Sequence, residues 1–244
     1  MKSSPTLAEL ASWRAFLETA YALIDILDEE MRAACGFSLG WYDALVHLED
    51  AIRRRRMVRA FYDRPLPPGT LDHILELGLH APSAGFSQGW AFLVLEGPEE
   101  TARYWDITLP LDRRTGFPWP DLLRAPALII PLAHAQAYVD RYGEPDKAAT
   151  GLGHSAGDWP VPYWLVDTAM SSMLMLLGAV DAELGALFFG IFDHEQALMA
   201  DLGVPEGYQP IGTIAIGYPA DDRPSGSVAR GRKPLEQVVH RGGW

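Results

Sequence analysis

The chain has 244 residues, of which 48% are hydrophobic and 21% charged, and its formal net charge at pH 7 is −12. This length and composition indicate a globular protein with one substantial core, and the acidic balance argues against nucleic acid or an anionic membrane as a partner. Cys35 is the single cysteine, which excludes an internal disulfide and a cysteine-rich metal site, so we expect no bound metal.

The first fifty residues carry a heptad pattern typical of a helix that packs along another helix. Apolar residues recur at alternating spacings of three and four. They are Leu10, Trp13, Leu17, Ala20, Ile24, Leu27 and Met31. Gly36 is expected to end this helix, and Ser38 can cap a second one. Two partners for the apolar stripe are open: the rest of its own chain, or a second subunit.

Residues 13–50 also resemble the first two helices of MarR-type transcription regulators. In that family the first helix belongs mainly to the dimerisation region, so the resemblance implies that residues 1–49 form a helical extension used for pairing. The resemblance ends where the DNA-reading part should begin, because a run of arginines follows instead. We therefore do not extend DNA binding to this chain.

The basic residues are concentrated in two short stretches. Of the 20 lysines and arginines, six lie in residues 53–64 and five in residues 223–241. Two local basic clusters in an acidic protein indicate a small, discrete anionic ligand and not a polyanion. Within the first cluster, Arg53 and Arg54 are expected only to solvate the end of the second helix, where positive charge is favourable.

From residue 65 onward, helical and strand-like segments alternate. We predict helices at 70–81, 164–186 and 194–204, apolar strands at 91–96, 127–133 and 211–219, and a turn-rich loop at 81–90. Strands separated by helices indicate a sheet with helical layers. The most apolar run, 170–180, is too short to cross a bilayer, and the first residues lack the apolar core of a signal peptide. A cytoplasmic location is therefore expected.

Five motifs in consistent order resemble the nitroreductase family of flavoproteins. They are RRMVRAF at 55–61, Pro65, APSAGFSQGW at 81–90, GALFFGIF at 185–192, and GYPADDRP…RGRKPLEQVV at 217–239. The resemblance covers residues 50–244 and implies an α+β fold, with a nitroreductase-like mixed central sheet flanked by helices. It also implies FMN as cofactor, NAD(P)H as reductant, and a homodimer with flavin sites at the subunit interface. Hydride would then pass through flavin N5 to a small aromatic acceptor of the nitro or quinone type, without a catalytic side chain.

The resemblance implies ten residues that bind the cofactor. The phosphate is bound by basic side chains from both clusters, because guanidinium groups bind phosphate well; these are Arg55, Arg56, Arg59, Arg232 and Lys233. The loop at 81–90 lies beside the flavin ring through Pro82, Ser83 and Gln88. The backbone of Phe189 and Gly190, after the long helix, lies near flavin N5.

Four aromatic residues could wall a pocket for a flat acceptor, and packing in the core or an interface explains the tryptophans among them at least as well. They are Phe86, Trp119, Trp159 and Trp164. Met57, Phe86 and Gly89 stand where the family usually has serine, asparagine and proline. Two alternatives therefore stay open: an enzyme that consumes flavin or acts on one dedicated substrate, like 5,6-dimethylbenzimidazole synthase, and a flavin-binding interaction protein without turnover.

Overall fold

The computed structural model describes residues 7–36, 38–191, 193–223 and 225–244. The chain divides into two compact units, residues 1–54 and residues 55–244. The first unit consists of α1 (Leu7–Cys35) and α2 (Leu39–Arg54), so the predicted pair of helices is confirmed. Gly36 follows α1 with a φ of 77°, a left-handed conformation that glycine adopts without steric cost and that ends the helix.

The second unit has six helices and five strands within its described residues. In chain order they are α3 (Thr70–Leu79), β1 (Trp90–Glu96), α4 (Pro98–Thr108), α5 (Leu111–Arg114), β2 (Ala127–His134), α6 (Ala135–Tyr142), α7 (Tyr163–Asp181), β3 (Gly185–Phe189), α8 (Glu195–Asp201), β4 (Tyr208–Pro210) and β5 (Thr213–Gly217). The helices predicted at 70–81 and 194–204, and the strands predicted at 91–96, 127–133 and 211–219, each correspond to one of these elements. The alternation therefore gives an α+β fold, as expected.

One sheet organises the second unit. The strands lie in the order β1-β2-β5-β3, with β4 also pairing with β2, and each of these pairings is antiparallel. A parallel bridge between Met57 and Ala186 attaches the arginine stretch beside β3 and makes the sheet mixed. The start of the unit, carrying the first basic cluster, is thus fixed next to the strand that ends at Phe189.

The sheet has a hydrophobic core on each face, as the period of two along its strands requires. On β2, Leu128, Ile130 and Leu132 belong to a cluster with α4 and α8, whereas Ala127 and Ile129 belong to a second cluster with α3 and α7. The first core therefore lies beneath the end of β3 and carries the aromatic residues of α4. The second core anchors α7 against the opposite face.

The prediction of a helix through residue 186 was wrong. α7 ends at Asp181 and β3 begins at Gly185. Between them Glu183 has a φ of 57°, and the N–H of Leu184 donates to the carbonyl of Ala179 at 2.8 Å. A continuous apolar run is equally typical of a buried helix and of a buried strand, so periodicity could not place this boundary.

Among the described helices, α7 is long and apolar enough to cross a membrane, with a mean hydropathy of 1.4. Met175, Leu176 and Ala179 are nevertheless buried in the core that α7 shares with α3 and the sheet. Because α7 packs on both a helix and the sheet, its apolar composition is that of a central helix in a globular domain.

Candidate functional site

The arginine run divides at Arg54, where α2 ends. Arg53 and Arg54 form ion pairs with the acidic residues four positions earlier, Glu49 and Asp50, at N–O distances of 2.6 and 2.9 Å. All four side chains are at least half exposed. Arg53 and Arg54 thus lie at the helix end as predicted, and both guanidinium groups are paired locally.

Arg55 has unused hydrogen-bonding capacity. Its side chain is half-buried, and its Nη1 atom is buried without a hydrogen-bond partner among the residues that the structure describes. Buried polar atoms nearly always have partners, and an unpaired charged donor is costly. An anionic ligand beside Arg55 would supply the missing acceptor.

Asp222, which follows β5, fixes the main chain of the arginine stretch. Its side chain is 3% exposed and accepts a hydrogen bond from the backbone N–H of Arg59 at 2.9 Å. The same carboxylate oxygen lies 3.5 Å from Nη1 of Arg56 and partly neutralises that guanidinium group. The sequence reasoning missed Asp222, although two consecutive acidic residues immediately before the second basic cluster were a usable signal.

A cavity of about 380 Å³ opens beside Arg59. It brings together residues from three of the predicted groups, namely Arg59, Trp119, and Phe189 with Gly190. The Arg59 guanidinium lies 5.7 Å from the centre of the Trp119 ring and donates to the carbonyl of Met57 at 3.2 Å. A cation over an aromatic face is favourable, so a positive charge is held at the wall of an aromatic cavity.

Another wall of the cavity comes from α4, which the sequence reasoning did not identify. Trp105 stacks on Phe189 with ring centres 5.9 Å apart and planes 5° apart. Beside it, burial raises the pKa of Tyr104 to about 12, so its hydroxyl stays protonated near neutral pH. That hydroxyl lies 2.9 Å from the hydroxyl of Thr213 on β5. The adjacent aromatic residues Tyr104 and Trp105, in a segment with the composition of a helix, were the feature of the sequence that could have identified this wall.

The loop at 81–90 is supported from beneath by Asp167 of α7. Asp167 is 3% exposed, and its Oδ2 accepts hydrogen bonds from the backbone N–H of Ala84 and from the Tyr138 hydroxyl, both at 2.8 Å. Burial, together with the neighbouring Asp167, raises the pKa of Tyr138, so its hydroxyl remains a donor. Within the loop, the Ser83 hydroxyl accepts the N–H of Gln88 at 3.0 Å.

The four aromatic residues predicted to form a pocket do not line one cavity in the described part of the chain. Trp119 lines the cavity beside Arg59. Phe86, at the tip of the loop, is 75% exposed with a φ of 58°. Trp159 and Trp164 pack around Tyr138, with ring centres 5.8 and 6.2 Å from it, and therefore support the loop. For Trp159 and Trp164 the packing interpretation accounts for the geometry.

The second basic cluster does not meet the first within one described chain. Residues 226–244 are exposed throughout, and no hydrogen bond or ion pair among the described residues joins Arg232 or Lys233 to the arginine stretch. Their role at a phosphate stays a prediction.

The departure from the family pattern at Met57 has a packing explanation. Its side chain contacts the cores on both faces of the sheet, and its sulfur accepts the N–H of Phe188 at 3.4 Å. Met57 thus helps to attach the arginine stretch to β3. A serine hydroxyl could not fill this apolar space.

Gly89, where the family usually has proline, lies against α6. An added Cβ would lie 2.4 Å from Cε2 of Tyr138 and 2.8 Å from the carbonyl oxygen of His134. We expect Gly89→Ala to lower the free energy of unfolding by about 1–3 kcal/mol, because overpacking forces the backbone to move. Urea unfolding measures this, with Gly226→Ala as control, since a Cβ there meets nothing within 4 Å. Equal stability of the two variants would contradict the expectation.

Comparisons with known proteins agree with this geometry. A model of the Nitroreductase family matches residues 52–218. An NADH dehydrogenase of Thermus thermophilus is 28% identical over 207 residues, which cover 78% of this chain and 93% of that protein. An NADPH-dependent oxidoreductase of Staphylococcus haemolyticus is 22% identical over 196 residues, or 80% of this chain and 73% of that protein. A crystal structure of a nitroreductase-like protein from Desulfovibrio desulfuricans in complex with FMN has a TM-score of 0.59 and 22% identity, covers 81% of this chain and 97% of its own, and shares the fold.

Proposed function

The chain belongs to the nitroreductase family, and from this premise we propose that it is an FMN-dependent NAD(P)H oxidoreductase acting on a small aromatic acceptor of the nitro or quinone type. The observation that carries the proposal is the cavity in which a guanidinium group, stacked aromatic rings and the glycine after β3 meet. Their arrangement suits a flat ring with an anionic extension.

The residues present fit FMN. Its phosphate needs cationic donors, and Arg55 has a buried Nη1 without a partner among the described residues while Arg59 lines the cavity. Its ring needs apolar walls, which Trp105, Trp119 and Phe189 provide. A volume of about 380 Å³ lies within the range of small-molecule sites. The relative crystallised with FMN supports the same cofactor.

FMN, when bound, takes a hydride from the nicotinamide and passes it to the acceptor. The residues of this chain bind the cofactor and shape the space above it. Arg55 and Arg59 would hold the phosphate, and Gly190, which has no side chain, would let a ring approach the backbone closely. The aromatic wall excludes water, and Tyr104 adds no negative charge because it stays protonated.

The proposal includes a cytoplasmic homodimer. Pro82, Ser83 and Gln88 do not line the cavity of their own chain in the described structure. If they contact flavin, they reach it across a subunit interface, and Asp167 then holds the loop in the required shape. Arg232 and Lys233, on the exposed C-terminal segment, are proposed to complete a phosphate site in the same way.

The absorption spectrum of the purified protein, followed by anaerobic reduction, tests the proposed function. We expect flavin absorption that NADH or NADPH bleaches under nitrogen and that a nitroaromatic or a quinone restores. Protein that is purified without flavin and does not bind added FMN would contradict the cofactor assignment. Bleaching without recovery would favour an enzyme with one dedicated substrate. Loss of the flavin itself would favour a flavin-consuming enzyme. Flavin that neither NADH nor NADPH reduces would favour a binding protein without turnover.

A further inference from the structure

Among the side chains that the structure describes in the first unit, Ala51 is the one that is buried. None of residues 12–34 is buried, and one side of α1 carries large apolar side chains that are each 39–63% exposed. They are Trp13, Phe16, Leu17, Tyr21, Leu23, Ile24 and Leu27, and we call them the pairing face. A unit of about fifty residues whose described side chains bury so little apolar surface gains stability in water from a partner.

The area of the pairing face is that of one half of a stable dimer interface. At roughly 150–250 Å² per aromatic side chain and about 100 Å² per leucine or isoleucine side chain, the exposed fractions leave about 550 Å² of apolar surface per chain. A stable interface takes about 800 Å² from each partner, of which about 56–65% is apolar. The heptad period of this surface is the one by which helices pack along each other. A second copy of α1 therefore matches the pairing face in both area and period.

We propose that the pairing face binds the same face of α1 in a second copy, with the two helices antiparallel. The apolar layers interlock when Leu17 lies against Leu27 of the partner subunit and Ala20 lies against Ile24 of the partner subunit. Arg14 pairs with Glu18 at 3.0 Å and Asp28 pairs with Arg32 at 2.8 Å within the helix. This register places Arg14 opposite Asp28 of the partner subunit, so that the two ion pairs adjoin with alternating charges, and twofold symmetry repeats the arrangement.

The width of the pairing face indicates more than two helices. At 100° per residue it spans about 160° of the helix circumference, which is wider than the seam of a two-stranded coiled coil. α2 contacts α1 and exposes Leu48 and Ile52 by 53% each, four residues apart on one side. Two α1–α2 hairpins therefore assemble into a four-helix bundle.

Cross-linking of single-cysteine variants of the full chain tests this arrangement without reference to the proposed activity. With Cys35 replaced by serine, a short bismaleimide should link Tyr21→Cys to itself, because Tyr21 lies near the twofold axis. Trp13→Cys should not link to itself, since its two copies lie about 27 Å apart along the axis. Co-expressed Trp13→Cys and Met31→Cys chains should link to each other. Self-linking of Trp13→Cys, or no covalent dimer from any variant, would overturn the proposal.

Two isoleucines of α1 provide a matched pair of disrupting variants. Ile24 lies on the pairing face and is 47% exposed, whereas Ile26 lies on the opposite side and is 54% exposed. Added to the Tyr21→Cys chain, Ile24→Asp should abolish the covalent dimer and Ile26→Asp should leave it. Circular dichroism verifies that both chains fold. Equal cross-linking yields from the two variants would also overturn the proposal.

Discussion

Replacing Arg55 and Arg59 together by alanine should give a folded protein that no longer retains flavin. Arg55 has a buried Nη1 without a partner among the described residues, and Arg59 lines the cavity beside Trp119 and Gly190. A hydrogen bond to a charged group contributes about 1.5–3 kcal/mol, so losing two guanidinium contacts should cost about 3–6 kcal/mol of FMN binding. That is about a hundredfold to ten-thousandfold loss of affinity. Absorbance at the flavin band per mole of protein measures it.

The Arg53→Ala, Arg54→Ala double variant is the matched control for this experiment. It removes the same charge from the same run of arginines, but these two side chains are exposed and paired with Glu49 and Asp50. Its flavin content should equal that of the unmodified protein. Equal loss of flavin in the two double variants would show a general effect of charge and would contradict the assignment to Arg55 and Arg59.

Asp167→Ala is expected to have the largest effect on stability. The buried carboxylate accepts two hydrogen bonds of 2.8 Å, from the backbone N–H of Ala84 and from the hydroxyl of Tyr138. Its removal leaves both donors without a partner, at about 1–3 kcal/mol each, so the free energy of unfolding should fall by about 2–6 kcal/mol. Urea unfolding at a fixed FMN concentration measures the change, because bound ligand would otherwise alter the apparent stability.

Asp181→Ala, at the end of the same helix, is the control for Asp167→Ala. Asp181 is exposed, and an acidic residue at a helix C-terminus is mildly unfavourable, so this variant should be as stable as the unmodified protein. If Asp167→Ala unfolded at the same urea concentration as Asp181→Ala, Asp167 would not support the loop at 81–90.

Local patterns in the sequence were sufficient for most of the fold. β2 could be predicted because its apolar run is short and follows a loop rich in proline, and α3 because its apolar residues recur with the helical period. The end of α7 could not be predicted, because Gly185–Phe189 continues the same apolar composition in a different conformation. Sheet order also follows from long-range pairing, which no local pattern encodes.

The candidate site was only partly predictable, for a related reason. Arg59, Phe189 and Gly190 were identifiable because they stand in motifs, and the structure places them at one cavity. Trp159 and Trp164 are large aromatic residues like those that line the cavity, but they pack under the loop against Tyr138 of α6. The sequence does not show which of these two environments an aromatic residue occupies. Asp222 was missed because its partner, the backbone of Arg59, is 163 residues away.

The affinities of the flavin-depleted protein for FMN and for riboflavin, compared with those of the Arg55→Ala, Arg59→Ala variant, test the central claim most directly. Riboflavin lacks the phosphate and keeps the ring, so the ratio of the two affinities isolates the phosphate contacts. We expect FMN to bind more tightly than riboflavin to the unmodified protein, and the two substitutions to lower the ratio of the two affinities by about a hundredfold to ten-thousandfold, with any remaining preference due to Arg232 and Lys233. A ratio that both substitutions leave unchanged would contradict the claim that these two arginines hold the phosphate.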